Sequence, residues 1–139
     1  MGFAVKLDTN GSQPHVIKAL LDEKLLDYIA MDVKAPLDKY KDIVKAQVNP
    51  ESIKESIRLI LKATIPYEFR TTVVQSQLEE DDILQIAKLI SGASHYVLQN
   101  FVPAITLDKK FQKEKAFPED TLQKLKNRLT QQIPIVTIR

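Results

Sequence analysis

Short runs rich in β-branched and aromatic residues alternate along this chain with longer segments in which apolar residues recur every three to four positions. The short runs are typical of strands, and the longer segments are typical of amphipathic helices. Strands are predicted at residues 3–7, 28–33, 67–74, 96–101 and 135–138. Strands that are separated by helices run parallel, because a crossover helix returns the chain to the same end of the sheet. The sequence therefore predicts an α/β fold built from parallel βα units, with both faces of the sheet covered because the strands are largely apolar.

Polar residues and prolines mark where the predicted helices begin. Ser12 is expected to cap the first helix, with Pro14 in its first turn. Asn49 is expected to cap a longer helix that has Pro50 at its first position. Pro118 is expected to open the last helix. We expect only a short, irregular helical connection between the second strand and Asn49.

Composition restricts the function classes. The 139 residues are 44% hydrophobic and 27% charged with a net charge of +2, which indicates one globular domain without the basic surface of a nucleic-acid-binding protein. No apolar run approaches the roughly 18 residues of a membrane-spanning helix, so we expect no membrane partner and a cytoplasmic protein.

Cysteine and histidine, the residues that usually bind zinc and iron–sulfur centres, are scarce. Cysteine is absent, which excludes disulfides and thiolate ligation by this chain, and only His15 and His95 offer imidazole ligands. An acidic run occupies residues 79–82, where carboxylates favour the start of a helix. We interpret this run as a solvent-exposed helix start, and we expect no metal site in the chain.

Candidate site residues follow from the parallel sheet, because ligands of such folds bind at the carboxyl ends of the strands. The polar side chains predicted at these ends are Asp8, Asn10, Asp32, Lys34, Arg70 and Gln99. They include no nucleophile and no histidine base, so they suit the holding of a polar ligand. Asp8 can accept hydrogen bonds from ribose hydroxyls, whereas Arg70 and Lys34 can bind a carboxylate.

Structural roles remain open for the same side chains. Asp8 and Asn10 can equally serve to shape a tight turn. Asp32 and Lys34 lie on one face of their strand, where an ion pair with each other or with Arg70 competes with ligand contact.

Four sequence motifs together resemble the later strands of radical S-adenosylmethionine activating proteins. They are Leu-Asp-Thr-Asn-Gly at residues 7–11, Met-Asp-Val-Lys-Ala-Pro at 31–36, Phe-Arg-Thr-Thr-Val-Val at 69–74, and the strand at 96–101. The resemblance covers nearly the whole chain. It is strongest to the activating proteins of anaerobic ribonucleoside-triphosphate reductase, which are related to the pyruvate formate-lyase activating enzymes.

The resemblance implies a partial (β/α) barrel, S-adenosylmethionine and a 4Fe–4S cluster in the intact protein, and a glycyl-radical enzyme as partner, with anaerobic ribonucleotide reductase as the first candidate. It places Asp8 near the ribose and Arg70 near the methionine carboxylate, and it matches Asp32 and Lys34 to the family's Asp-x-Lys strand. At residues 98–101 this chain departs from the Leu-Pro-Tyr-His pattern of the pyruvate formate-lyase activating enzymes, so no histidine contact with adenine is implied.

We therefore interpret residues 1–139 as a single domain that forms the C-terminal part of such a barrel, without the half that carries the cluster cysteines. As an isolated chain it is expected to be inactive and to bind no cofactor. An exposed sheet edge would favour self-association. We interpret the lysine-rich residues 108–115 as a solvated loop, with docking of a partner as the alternative.

Two other interpretations remain. One is a self-contained small α/β domain that binds a nucleotide or metabolite. The other is half of an aldolase-like or isomerase-like phosphate-binding barrel, which ranks last because the chain lacks a strand-end lysine in an apolar setting and a glycine-rich helix start.

Overall fold

The computed structural model describes residues 2–102 and 115–139. Within them, parallel strands form one sheet in the order β1-β2-β3-β4-β5. The strands are β1 (Lys6–Thr9), β2 (Tyr28–Asp32), β3 (Tyr67–Val73), β4 (His95–Asn100) and β5 (Ile135–Ile138). Each strand pairs with the next one in sequence, so the sheet grows in one direction as in a barrel and never reverses as in a doubly wound fold. The predicted α/β fold of parallel βα units is confirmed.

The helices begin close to the predicted positions. They are α1 (Pro14–Asp22), α2 (Tyr40–Val44), α3 (Pro50–Leu61), α4 (Glu80–Leu89) and α5 (Glu119–Leu129), with a 3₁₀ helix at Leu37–Lys39 before α2. Asn49 caps α3, since its side chain accepts a hydrogen bond from the Glu51 N–H at 3.0 Å. The prediction for Ser12 is wrong. Gln13 is the residue that precedes α1, no side chain caps this helix, and Ser12 belongs to the preceding turn, where its N–H donates to Asn10 Oδ1.

The helices pack against one face of the sheet. Alternate strand residues, including Ile29, Met31, Phe69 and Leu98, belong to the same buried cluster as the apolar stripes of α1, α3, α4 and α5. The alternation of a strand sends the intervening residues, among them Asp32 and Arg70, to the opposite face. The prediction that both faces are apolar is therefore wrong, although Ala30, Val97 and Glu68 are buried on the second face. One face is the core, and the other, which we call the polar face, carries charged side chains.

Strand β1 begins later than predicted. Pairing starts with Lys6 opposite Tyr28, and Phe3 is 91% exposed. The Val5 carbonyl accepts hydrogen bonds from the N–H groups of Asp27 and Tyr28 at 2.8 and 3.3 Å. The apolar run at residues 3–7 therefore only partly becomes strand, because no second element packs on its first residues within the described chain.

The acidic start of α4 is not uniformly exposed. The Asp82 side chain is 2% exposed and accepts from Lys39 Nζ at 2.7 Å and from the Glu79 N–H at 2.9 Å. Burial alone would raise the pKa of Asp82, but these two donors outweigh it, so the pKa lies below its usual value. The prediction of a solvated run is wrong at this residue, which links α4 to the 3₁₀ helix.

Two further sequence predictions concern membrane-spanning helices and the lysine-rich residues 108–115. No helix in the described ranges combines the length and apolar content that a membrane crossing requires. Of the lysine-rich residues 108–115, all but Lys115 lie outside the described residues, so their solvated-loop interpretation stays a prediction.

Candidate functional site

The polar face places charged residues of neighbouring strands side by side. In the parallel register Asp8 lies opposite Ala30, and Asp32 lies opposite Arg70. Asp8 and Asp32 sit next to and at the carboxyl ends of β1 and β2, and Arg70 lies in the middle of the longer β3, opposite the end of β2. The parallel pairing thus brings together residues that are far apart in sequence, at the end of the sheet where ligands of such folds bind.

Arg70 occupies the centre of this group. Its Nη1 lies 3.0 Å from Asp8 Oδ1, and its Nε donates to Asp32 Oδ1 at 3.0 Å. The Arg70 side chain is 16% exposed, whereas that of Asp8 is 56% exposed. A mostly buried guanidinium is costly unless it is paired, so the two carboxylates satisfy it and tie three strands together.

Two lysines flank the group. Lys6 Nζ lies 3.5 Å from Asp8 Oδ1, and Lys34 Nζ lies 4.0 Å from Asp32 Oδ2. Charges therefore alternate in sign from Lys6 through Asp8, Arg70 and Asp32 to Lys34, and we call these five residues the strand-end charge row. The predicted ion pairing of Asp32 with Arg70 and Lys34 is present, while ligand contact by these residues stays a prediction.

The other two candidates lie apart from the charge row. The Asn10 side chain accepts a hydrogen bond from the Ser12 N–H at 3.0 Å, so its carbonyl oxygen shapes the turn after β1. Gln99 is part of β4 on the polar face, and its side chain makes no hydrogen bond with the described residues. Four of the six predicted site residues thus come together, and Asn10 and Gln99 do not join them.

A cavity of about 300 Å³ adjoins the row between the end of β1 and the start of α1. Asp8, Asn10 and Ser12 contribute its polar lining, and Val16 and Ile17 contribute apolar side chains. A larger cavity of about 630 Å³, lined by Lys18, Asp27 and Lys62 among others, opens at the amino ends of β2 and β3, away from the predicted site residues.

Glu68 is a polar-face residue that sequence reasoning missed. Its side chain is 2% exposed. It accepts hydrogen bonds from Nη1 and Nη2 of Arg139 at 2.9 and 3.0 Å and from the Tyr28 hydroxyl at 3.0 Å. His95 Nδ1 lies 3.7 Å away. The available signal was the period of two in a strand, which puts Glu68 on the same face as Arg70.

The environment of Glu68 determines its charge. Burial would raise the pKa of this carboxyl, but the hydrogen bonds from Arg139 and Tyr28 outweigh burial and hold the pKa below its usual value. Burial and the hydrogen bond to Glu68 raise the pKa of Tyr28. Glu68 is therefore ionised at neutral pH, and it bridges strands rather than serving as an acid or base there.

Together the fold and the site define a partial α/β barrel with a row of charged side chains near the carboxyl ends of its first strands. Comparison with known proteins gives the family. The sequence model of the Radical SAM superfamily matches residues 1–90. This chain belongs to the radical S-adenosylmethionine superfamily, and the resemblance noted in the sequence is confirmed.

Two relatives refine the comparison. A Methanocaldococcus jannaschii protein named "Putative glycyl-radical enzyme activating enzyme" is 40% identical over 142 residues, which cover 99% of this chain. The chain spans only 59% of that relative's length. The crystal structure of a domain of pyruvate-formate lyase-activating enzyme from Bacteroides vulgatus superposes with a TM-score of 0.75 at 18% identity, covering 99% of this chain and 82% of that one. The second match supports the fold.

Radical S-adenosylmethionine proteins use S-adenosylmethionine and a 4Fe–4S cluster, and the residues of this chain fit only one of the two. The sequence contains no cysteine, and the described residues hold no group of three or more acidic or histidine side chains arranged for a metal ion. They do not fit the cluster. The strand-end charge row offers carboxylate acceptors and cationic donors, which fit the hydroxyl and carboxylate groups of S-adenosylmethionine.

Proposed function

We propose that this chain holds S-adenosylmethionine within a glycyl-radical enzyme activase. The intact protein would generate a 5′-deoxyadenosyl radical and remove a hydrogen atom from a glycine of its partner enzyme. Family membership and the name of the 40% identical relative support this reaction class. The observation that carries the proposal is the strand-end charge row, which lies on the polar face near the carboxyl ends of β1 and β2.

Each residue of the row has a separate role in the proposal. Both described contacts of Asp8 use Oδ1, which leaves Oδ2 to accept a hydrogen bond from a ribose hydroxyl. Arg70 and Lys34 provide positive charge for the methionine carboxylate. Asp32 orients Arg70 through its Nε, while Nη1 of Arg70 reaches across to Asp8 on β1. Asn10 and Gln99 would supply further polar contacts.

Cluster binding is not part of what this chain contributes. A cluster in the intact protein would take its thiolates from residues outside this sequence, because the chain has none. We therefore propose that the isolated chain is inactive. We also propose that the partner of the intact protein is a glycyl-radical enzyme in the cytoplasm, with anaerobic ribonucleotide reductase as the first candidate.

A titration of the ¹⁵N-labelled chain with S-adenosylmethionine tests the proposal. We expect weak binding, with amide shifts confined to residues 8–12 and to the ends of β2 and β3. Asp8→Asn should weaken binding about tenfold, because it replaces a charged acceptor by a neutral amide. Asp22→Asn makes the same chemical change on α1, where Asp22 pairs with exposed Lys18, and should bind as the wild type does. Shifts that avoid the strand ends, or equal effects of the two variants, would count against the proposal.

A second candidate is a self-contained domain that binds another nucleotide or metabolite. It is favoured by the extensive core that the described helices form with one face of the sheet. This candidate predicts tight binding of a different nucleotide by the chain alone. A screen of nucleotides by thermal shift would support it if one of them raised the melting temperature while S-adenosylmethionine did not.

A further inference from the structure

A serine lies within the apolar stripe of α3. Ser56 is fully buried between positions occupied by Ile53, Ile57 and Ile60. Its Oγ donates a hydrogen bond of 2.7 Å to the carbonyl of Gly11, in the loop that follows β1. Serine is a weaker helix former than alanine, and a buried hydroxyl is costly without a hydrogen-bond partner. The hydrogen bond to Gly11 offsets both costs.

The loop backbone approaches its support very closely. Gly11 has φ +72°, and a Cβ added there would lie 2.1 Å from Met31 Cε and 3.4 Å from Ser56 Cβ. Any other residue would strain the backbone at this φ and would displace the end of the Met31 side chain. The loop therefore rests directly on β2 and α3, with no room to shift toward them.

Two further hydrogen bonds determine the shape of the loop. The Gly11 N–H donates to Thr9 Oγ1 at 3.0 Å, and the Ser12 N–H donates to Asn10 Oδ1 at 3.0 Å. Because the oxygen of the Asn10 amide is used in the turn, its NH₂ group is what it can offer to a ligand. Asp8 immediately precedes this loop and offers an acceptor.

We infer that Ser56 is a positioning residue for ligand binding, which holds the loop after β1 so that Asp8 and Asn10 present one acceptor and one donor at fixed positions. The inference rests on the proposed function, and it names the part of the ligand that the loop would recognise. An acceptor beside a donor suits the neighbouring hydroxyls of a nucleoside ribose. Ser56 touches no ligand itself and acts through the Gly11 carbonyl.

Ser56→Ala removes the hydroxyl and leaves the Gly11 carbonyl without its donor. We expect hydrogen exchange at the Gly11 and Ser12 N–H groups to become about tenfold faster, which is the size expected for one buried hydrogen bond. We expect the Kd for S-adenosylhomocysteine, followed by amide shifts at a temperature where both proteins are fully folded by circular dichroism, to rise about five- to tenfold.

Two variants complete the experiment. Ser52→Ala makes the same change one turn earlier on α3, where the side chain has no hydrogen bond to the described residues, and should leave the exchange and the Kd at their wild-type values. Ser56→Cys retains a weak donor of similar size and should give intermediate exchange and affinity. It also keeps the inference testable if Ser56→Ala does not fold.

The outcomes separate the two proposals. If Ser56→Ala melts at a lower temperature but binds S-adenosylhomocysteine with the wild-type Kd, Ser56 is only structural and the inference is overturned while the proposed function stands. If the wild-type chain itself shows no ligand-induced shifts at residues 8–12, the proposed function fails first and the inference fails with it. Faster loop exchange together with a higher Kd, in Ser56→Ala but not in Ser52→Ala, supports the inference.

Discussion

Arg70 is the residue on which the polar face depends most. A guanidinium that is 16% exposed within a sheet needs carboxylate partners, and Asp8 and Asp32 supply them from two other strands. The exposed member, Asp8, is the one that a ligand can most easily engage. The strand-end charge row therefore contains two kinds of contact. The contact of Asp32 with Arg70 is structural, whereas the contact of the more exposed Asp8 with Arg70 can rearrange.

Replacing Arg70 should reveal this structural part. Arg70→Gln leaves Asp32 beside a neutral amide, so we expect the free energy of unfolding to fall by about 2 kcal/mol. Urea denaturation measures the change. Arg58→Gln is the matched control, because Arg58 pairs with Glu55 on the exposed surface of α3, and it should alter stability by no more than about 0.5 kcal/mol. Equal losses in the two variants would show that the Arg70 pairs contribute no more than a surface pair.

Glu68 should contribute to the pH dependence of stability. Its pKa in the folded chain lies below the ordinary value of 4.5, so the folded state releases this proton more readily than the unfolded state. The resulting stabilisation is complete above about pH 5 and is lost as the pH falls from there through the lowered folded pKa.

The variant Glu68→Gln removes this titration. At pH 7 it should lower the free energy of unfolding by about 2 kcal/mol, since Arg139 loses its bidentate partner. As the pH falls below about 5 and through the lowered pKa of Glu68, the variant should lose less stability than the wild type does. Denaturant titrations at several pH values measure both effects, and parallel pH curves for the two proteins would contradict the assignment.

The loop between β1 and α1 is the element whose conformation is most tightly determined. Gly11 and Gly92 both have positive φ, at +72° and +94°, but only Gly11 lacks space for a side chain. Gly92 follows α4 and faces open space. Substitutions at the two glycines therefore distinguish the free-energy cost of backbone strain, present at both, from the cost of a steric clash, present only at Gly11.

Alanine substitutions at the two glycines should differ. Gly92→Ala should cost about 1 kcal/mol, the strain of a left-handed alanine. Gly11→Ala should cost about 3 kcal/mol or more, because Met31 must also move. Thermal and urea unfolding measure both. If the two variants were equally stable, the close approach of the loop to Met31 would be wrong.

At the scale of the whole molecule, the sheet is covered by helices on one face and ends in two edges. Strand β1 pairs only with β2 among the described residues, so its other side presents backbone donors and acceptors that can pair with another chain. The neighbouring Val5 and Phe3 side chains are 47% and 91% exposed. The predicted self-association through a sheet edge is thus open to a direct test.

Sedimentation at increasing protein concentration should show reversible association of the chain. Val5→Lys places a charge beside the β1 edge and should weaken association several-fold, since charged edges resist pairing. Leu25→Lys adds the same charge at another exposed apolar residue, before β2, and should have a smaller effect. A monomer at every concentration would contradict the prediction.

Prediction from sequence worked best where local chemistry determines the outcome. The parallel direction of the strands followed from the alternation of strand and helix, and the Asn49 cap followed from its position before Pro50. It was wrong for Ser12, which does not cap α1, and for Asp82, which Lys39 draws into a buried pair. The error at Asp82 arises from a partner distant in the sequence, which a local pattern does not reveal.

The sequence by itself determined the fold class, the family and the strand ends as the place of the candidate site, because periodicity and motifs are local properties of the chain. Only the tertiary structure decided which side chains meet. The register of parallel strands sets Asp8 and Asp32 on Arg70, brings Arg139 to Glu68, and seats Gly11 on Ser56. These contacts join residues that are far apart in the chain. Their geometry depends on how the helices pack against one face of the sheet.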